Sequence, residues 1–150
     1  MELWTPRTTV AAIVEDRGRF LMVEERDRDG RLVLNQPAGH LEDAESIADD
    51  ARREVLEETS WEFRPDGLLG VYKWRIPSRP LTYVRYCFFG SAVTHHPDRP
   101  LDADILRAVW MSEGDIMKQH AHHRSPMVAR CLRDYVDGRR FPLEMICEMD

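Results

Sequence analysis

The sequence predicts an α/β (α+β) protein that folds as a single domain over residues 1–150. Three observations support this. The length suits one domain with a sizeable core, 43% of the residues are hydrophobic, and short β-branched or apolar runs alternate with helical segments. The predicted strands cover residues 8–14, 19–25, 31–34, 61–63, 68–76, 81–92 and 105–111. The predicted helices cover residues 44–58 and 126–137, and a further helix begins after Ser112.

Two turns organise the first part of the chain. Asp16-Arg17-Gly18 joins the first two predicted strands as a hairpin, and Arg28-Asp29-Gly30 leads into the third. A polar loop follows before the first helix. Some of its side chains are candidates for a phosphate or base site, although they could instead cap their own loop. These side chains are Asn35, Gln36 and His40.

The first predicted helix places its acids beside its apolar residues. Asp43 is the expected N-cap, and neither Pro nor Gly interrupts residues 44–58. On a helical wheel the carboxylates of Glu54, Glu57 and Glu58 project from neighbouring positions next to the apolar stripe, so they face partly inward. The stripe consists of Ile47, Ala48, Ala51 and Val55.

A hard cation would resolve the repulsion between these three carboxylates. Oxygen ligands suit Mg²⁺ or Mn²⁺, which proteins hold with a few carboxylates, water and the oxygens of a substrate phosphate. The alternative is a solvated acidic helix whose glutamates pair with Arg52 and Arg53. The helix alone does not decide between the two interpretations.

The residues around this helix form a longer pattern: Gly39, five residues, Glu45, seven residues, Arg53-Glu54-Val55, one residue, Glu57-Glu58, one residue, and Ser60-Trp61. This pattern resembles the signature of the Nudix hydrolases. The chain departs from it at Ser60, where the family has Gly. Glycine there ends the helix in a left-handed conformation, which Ser adopts at a cost of about 1 kcal/mol.

The resemblance implies a fold and a reaction. The fold is an α/β/α sandwich with a mixed β-sheet, and the reaction is hydrolysis of a nucleoside diphosphate or another organic diphosphate. Glu54, Glu57 and Glu58 would bind the metal, with the carbonyl of Gly39 as a further ligand. An acidic residue before the predicted strand 105–111 would be a possible outer ligand, here Asp104.

The same resemblance implies the roles of neighbouring residues. Arg53 and Glu45 would orient the metal ligands. Either Glu54 or Glu58 would help to deprotonate the attacking water, and the sequence does not choose between them.

Aromatic residues at even spacing mark the strands that follow the helix. Core packing is expected for most of them. Trp74 lies near a loop, where its indole could stack on a base or heterocycle. Arg85 is expected beside Trp74 in the strand pairing, where it could meet a phosphate.

His95 and His96 fall in a predicted polar loop over residues 94–104. Adjacent histidines suggest zinc, but a zinc site needs further ligands at suitable spacing. We therefore expect both side chains to face solvent.

Composition limits the partners and the compartment. The net charge of −6 does not favour a nucleic-acid polymer as partner. The three cysteines are widely spaced, which is typical of reduced thiols in the cytoplasm. No segment is apolar enough for a signal core or membrane span, so no membrane partner is expected. A monomer and a homodimer both remain open.

A narrower resemblance extends from about Thr8 to Ile146. Residues 35–42, 124–126 and 140–146 are similar to the NudJ-type phosphatases, a bacterial branch of the family. This implies release of phosphate from hydroxymethylpyrimidine pyrophosphate, thiamine pyrophosphate and nucleoside di- and triphosphates. One alternative is a pyrophosphohydrolase of a nucleotide sugar, ADP-ribose or dinucleoside polyphosphate. The other is a non-catalytic nucleotide-binding regulator.

Overall fold

The computed structural model describes residues 1–149. Within them, every predicted strand and helix is present, with changes at some boundaries. The strands are β1 (Arg7–Asp16), β2 (Arg19–Arg26), β3 (Leu32–Asn35), β4 (Ala38–His40), β5 (Trp61–Arg75), β6 (Thr82–His95) and β7 (Ile105–Ser112). The α-helices are α1 (Ile47–Thr59), α2 (Glu113–Lys118) and α3 (Pro126–Val136), and short 3-10 turns occur at His120–His122 and Leu143–Met145.

The sheet is mixed, as predicted. Its main strand order is β3-β2-β1-β6-β5, while β4 also pairs with β1 and β7 also pairs with β2. Strands β1 and β6 run parallel, and the other pairs are antiparallel. The predicted hairpin turn joins β1 and β2, with Arg17 and Gly18 at positive φ. Strand β1 is therefore the centre to which the other elements are attached.

Alternate residues of β1 pack against opposite helical layers, because side chains alternate across a strand. One buried cluster joins β1 to α1 and includes Val10, Ala12, Val14, Ala51 and Val55. The other joins β1 to α3 and includes Ala11, Ile13, Val128, Cys131 and Leu132. The sheet thus lies between two helical layers, which confirms the α/β/α sandwich.

Helix α1 begins later than predicted. Its N-cap is Ser46 rather than Asp43, and the Ser46 hydroxyl accepts a hydrogen bond from the backbone N–H of Asp49 at 3.1 Å. Serine is an effective N-cap because its short side chain reaches the free N–H groups of the first turn. Asp43 lies in the preceding turn.

Three strand boundaries also differ from the predictions. Residues 61–76, predicted as two strands, contain the single strand β5, whose register shifts around Pro65 and Gly67 accommodate residues that a regular strand disfavours. The predicted loop after Asn35 contains β4, which pairs with β1. Strand β6 continues to His95, so the loop predicted over residues 94–104 begins two residues later.

Ser60 ends α1 in the left-handed conformation expected from its position. Its φ and ψ are 63° and 19°, and its N–H donates to the carbonyl of Leu56 at 2.9 Å. The Ser60 hydroxyl also donates to the carbonyl of Arg99 at 2.8 Å. This hydrogen bond, which glycine could not make, offsets part of the backbone cost.

Two observations bear on the expected compartment. Cys87 and Cys131 are buried free thiols, and Cys147 is an exposed one. Among the helices of residues 1–149, none combines the length and the apolar character needed to cross a membrane. The cytoplasmic setting and the oligomeric state stay predictions.

The two roles of Ser60 can be separated by a pair of substitutions. Ser60→Gly and Ser60→Ala both lose the hydrogen bond to Arg99, but only Ala keeps a Cβ in the left-handed region. We expect Ser60→Gly to be more stable than Ser60→Ala by about 1 kcal/mol in urea unfolding. Equal unfolding midpoints for the two variants would contradict this account of the helix end.

Candidate metal and catalytic site

A cavity of about 650 Å³ opens where β4, the glutamate-bearing face of α1, the end of β5 and the start of β6 meet. It brings together every site residue predicted from the sequence except Gln36 and Glu45. Those residues are Asn35, Gly39, His40, Arg53, Glu54, Glu57, Glu58, Trp74, Arg85 and Asp104. Their convergence from five segments makes this cavity the candidate functional site.

An acidic cluster forms one end of the cavity. Carboxylate oxygens of Glu54, Glu57 and Asp102 all lie within 4.8 Å of one another. Glu58 lies beside them with only 7% of its surface exposed. The α1 face that carries these glutamates is therefore turned inward, as the helical wheel predicts.

Asp102 is a candidate ligand that the sequence analysis missed. The predicted outer ligand, Asp104, also lines the cavity, but its exposed side chain is not part of the close carboxylate group. A turn places Asp102 against α1: its N–H donates to the Glu57 carbonyl at 3.0 Å, and its carbonyl accepts from Ile105 at 2.9 Å. Asp102 and Asp104 are only two residues apart in the sequence, and only the folded turn shows which of them lies beside Glu54 and Glu57.

Arg53 orders the side chains of the acidic cluster. Its Nη1 donates to Glu54 at 3.0 Å and to Glu57 at 3.1 Å. Its Nε donates to Glu45 at 2.6 Å and its Nη2 to Asp50 at 2.6 Å, and Asp50 is fully buried. Burial lowers the pKa of Arg53, but these acids outweigh it and raise the pKa above its usual value. Glu45 therefore acts on the cavity through Arg53.

Gly39 allows β4 to approach the Glu54 carboxylate closely. A Cβ atom at Gly39 would lie 2.1 Å from Glu54 Cδ and 2.2 to 2.3 Å from its two oxygens. No side chain fits there without displacing Glu54. The glycine is thus needed for a close approach, and its backbone φ is not in the left-handed region.

Two of these carboxyl groups, those of Glu54 and Glu58, have a raised pKa. Burial raises the pKa of Glu58 to about 9, against the N–H of Ala38, which donates to Glu58 Oε1 at 2.8 Å. Burial likewise raises the pKa of Glu54 to about 7, against the opposing charge of Arg53. One guanidinium does not compensate all of these acids, so the cluster favours a further positive charge.

The residues present fit a hard divalent cation. The close donors are all carboxylate oxygens, as Mg²⁺ and Mn²⁺ prefer, and the Gly39 backbone lies against the Glu54 carboxylate without an intervening side chain.

The other end of the cavity is aromatic and basic. Trp74 and Tyr83 pair across β5 and β6, and their rings stack with centroids 6.2 Å apart and planes at 14°. Arg85 pairs with Tyr72, so the expectation that it lies directly beside Trp74 is wrong by two residue pairs. Arg85 still shares the cavity with Trp74, because residues two apart on a strand share a face.

Polar side-chain contacts link β2 and β3 to the segment that precedes α3. Glu25 accepts from the side-chain N–H of Asn35 at 3.0 Å and from Arg124 at 3.0 Å. Arg85 donates to the Gln36 side chain at 3.4 Å. The sequence analysis missed Glu25 and Arg124, since they lie 99 residues apart and no local pattern links them.

His95 and His96 lie away from the cavity and are exposed, as expected. The His95 ring stacks on Trp61 with centroids 4.5 Å apart, and His96 lies 3.6 Å from Glu62.

Comparison with known proteins gives consistent matches. The family described as "NUDIX domain" matches residues 5–131. The chain is 38% identical over 144 residues to "Phosphatase NudJ" of Escherichia coli (strain K12), which covers 96% of this chain and 92% of that protein. The same figures apply to "Phosphatase NudJ" of Shigella boydii serotype 4 (strain Sb227). The solved structure "NUDIX hydrolase from Nitrosomonas europaea" has a TM-score of 0.94 and 46% identity, covering 97% of this chain and 98% of that one.

The close contact at Gly39 gives a prediction for cation binding. Gly39→Ala displaces the Glu54 carboxylate, so we expect Mn²⁺ affinity, measured by calorimetry, to fall about tenfold to a hundredfold. Gly114→Ala is the control, because the nearest atom to a Cβ there is Ser112 Oγ at 4.0 Å. Unchanged Mn²⁺ affinity in Gly39→Ala would show that the position of the Glu54 carboxylate does not affect cation binding.

The raised pKa of Glu58 gives a prediction for stability without metal. The folded protein keeps a proton on Glu58 up to a pKa of about 9, whereas the carboxyl has an ordinary value of 4.5. Folded protein thus binds more protons, and this contribution to stability is lost as pH rises from 4.5 towards 9. In excess chelator, we expect Glu58→Gln to lose less thermal stability than the wild type over this range. If the two proteins lost the same thermal stability over this pH range, the raised pKa of Glu58 would be contradicted.

Proposed function

The chain belongs to the Nudix family of hydrolases, which act on pyrophosphate bonds, and from this premise we propose that it releases phosphate from small organic pyrophosphates with Mg²⁺ or Mn²⁺. The proposed substrates are hydroxymethylpyrimidine pyrophosphate, thiamine pyrophosphate and nucleoside di- and triphosphates. Likeness to the NudJ phosphatases over nearly the whole chain supports phosphate release, and supports treating the chain as one functional domain.

The observation that carries the proposal is the undercompensated carboxylate cluster. Glu54, Glu57 and Asp102 would hold the cation, with Glu58, the Gly39 carbonyl and Asp104 as further candidate ligands. A divalent cation there neutralises diphosphate charge and lowers the pKa of bound water. A non-catalytic nucleotide-binding regulator would not need a carboxylate cluster that Arg53 orders for metal binding.

Arg53 and Glu45 position the reacting groups. Arg53 contacts Glu54 and Glu57 at the same time and fixes their separation, while Glu45 fixes the guanidinium. Arg53 can therefore order the ligands and still leave their remaining oxygens facing the cavity.

Either Glu54 or Glu58 accepts the proton from the attacking water. Both side chains line the cavity, and a carboxylate is an adequate base for water whose pKa a bound cation would lower. In Glu58, Oε1 is engaged by Ala38, which leaves the second oxygen for the proton.

The substrate's organic group would occupy the aromatic end. Trp74 and Tyr83 offer ring surface, and His40 also lines the cavity. A small molecule is the expected partner, since the cavity of about 650 Å³ is of the size that holds such ligands.

Substitution of the two candidate bases tests the catalytic proposal. We expect Glu54→Gln and Glu58→Gln each to lower turnover at least about a hundredfold while the fold is kept, because an activated water contributes on that scale. Turnover is measured as phosphate release with Mg²⁺, and circular dichroism checks the fold. Glu62→Gln is the control, as Glu62 is exposed and lies outside the cavity. Wild-type rates in both site variants would reject these assignments.

The products of the wild-type reaction distinguish the proposed function from its alternative. Orthophosphate formed directly from pyrophosphate esters and nucleotides supports attack at the terminal phosphate. Signal from ADP-ribose or dinucleoside polyphosphates that needs added phosphatase indicates cleavage within a bridging diphosphate, and would replace the proposal.

A further inference from the structure

Arg124 is an exposed cation that lines the candidate cavity. Its side chain is 42% exposed. Its Nη1 donates to Glu25 Oε1 at 3.0 Å, and its Nε and Nη2 have no hydrogen-bond partner among residues 1–149. A guanidinium carries five N–H donors in one plane, so Arg124 can bind Glu25 and a second anion at the same time.

Contacts of both its backbone and its side chain fix the position of Arg124. Its N–H donates to the carbonyl of Leu34 at 2.9 Å, and His123 forms a parallel bridge with Leu34. Its partner Glu25 is only 6% exposed, and Glu25 Oε1 also accepts from the side chain of Asn35 at 3.0 Å. The guanidinium is therefore ordered before a ligand binds, which lowers the entropic cost of binding.

The ordered guanidinium lies close to the acidic cluster. Asn35, which binds Glu25, is three residues before Ala38, whose N–H binds Glu58. Three residues of extended chain span at most about 10 Å, so one short segment holds both carboxylates. Besides burial, the charge of Glu25 raises the pKa of Glu58, as expected for neighbouring acids. Arg124 therefore adds a positive group at the edge of the cluster.

The other arginines of the cavity are less suited to binding an anion there. Four acids accept from Arg53, and Arg85 is only 5% exposed. Arg28 and Arg79 lie between strands, and within residues 1–149 their side chains have no hydrogen bond or ion pair that would fix them. Arg124 differs from these four because it is both exposed and held in place.

We propose that Arg124 binds a phosphate group of the substrate, and that Glu25 and Asn35 are positioning residues that orient its guanidinium. Phosphate oxygens accept hydrogen bonds, which suits the N–H groups of Nε and Nη2. The inference rests on the proposed function, because it assigns a phosphate contact within the same site. It also gives a role to residues 35–42 and 124–126, two segments that resemble the NudJ-type phosphatases, since Glu25 joins them.

A second ion pair provides a matched control. Glu24 precedes Glu25 on β2, and Arg107 donates to the two Glu24 oxygens at 2.8 and 2.9 Å. Arg107 is exposed, and neither residue of this pair lines the cavity. Arg107→Gln therefore removes the same kind of contact from the same strand and reports any effect that acts through stability alone.

Binding of methylenebisphosphonate in the presence of Mg²⁺, measured by calorimetry, tests the phosphate contact without turnover. This diphosphate analogue has a P–C–P link, which is not hydrolysed. We expect Arg124→Gln to weaken its binding about tenfold to a hundredfold, because a charge-assisted hydrogen bond is lost, and Arg124→Lys to weaken it less. Arg107→Gln should change the affinity less than about twofold.

Two results of this measurement would overturn the inference. One is wild-type affinity for the analogue in Arg124→Gln. The other is an equal loss of Mn²⁺ affinity in Arg124→Gln when no analogue is present, because Arg124 would then act on the cation site and not on the phosphate.

The positioning role is tested by combining two substitutions. Glu25→Gln keeps the shape of the side chain but removes the charge that holds Arg124. We expect it to weaken analogue binding about threefold to tenfold in the wild type and to cause no further loss in Arg124→Gln, because Glu25 acts through Arg124. Equal losses in both backgrounds would contradict the positioning role.

This inference and the proposed function fail in different ways. If the wild type binds methylenebisphosphonate through Arg124 but releases no phosphate from any pyrophosphate substrate, only the proposed function fails. If the wild type releases phosphate and Arg124→Gln binds the analogue as tightly as the wild type, only the inference fails.

Discussion

The guanidinium of Arg53 is the contact on which the acidic end of the cavity depends. It is shared among Glu45, Asp50, Glu54 and Glu57, all within 3.1 Å, so its planar donors fix their positions as well as reducing their repulsion. A single positive charge cannot neutralise all of these acids and Asp102. The acidic cluster therefore keeps a net negative charge at the place where a cation fits.

The acidic cluster is built into the fold through the middle and the end of α1. At its middle, Gly39 lets β4 approach Glu54. At its end, the Ser60 hydroxyl binds Arg99 and the Ser60 carbonyl accepts from His96, while Glu57 accepts from Asp102. These hydrogen bonds tie the loop before β7 to the helix and bring Asp102 to the cluster. The serine that replaces the family's glycine thus takes part in positioning an additional acid.

The sequence predicted best the features that depend on residues close together in the chain. The inward face of α1 follows from helical periodicity, and the left-handed conformation of Ser60 follows from its place in the signature. Asp102 and the Glu25–Arg124 pair depend on a turn and on contacts between distant segments, which no spacing within one element encodes. The start of α1 was misplaced because Asp43 and Ser46 both suit an N-cap, and the choice between them is made by tertiary structure.

The two ends of the cavity differ in chemistry. At the acidic end the excess of negative charge favours a divalent cation, which would in turn bind phosphate oxygens. At the other end Trp74 and Tyr83 present aromatic ring surface. A ligand that suits both ends carries a phosphate group and a flat organic group, so binding of the organic group would place the phosphoanhydride bond at the acidic end. The distance between the two ends then selects both the substrate and the bond that is broken.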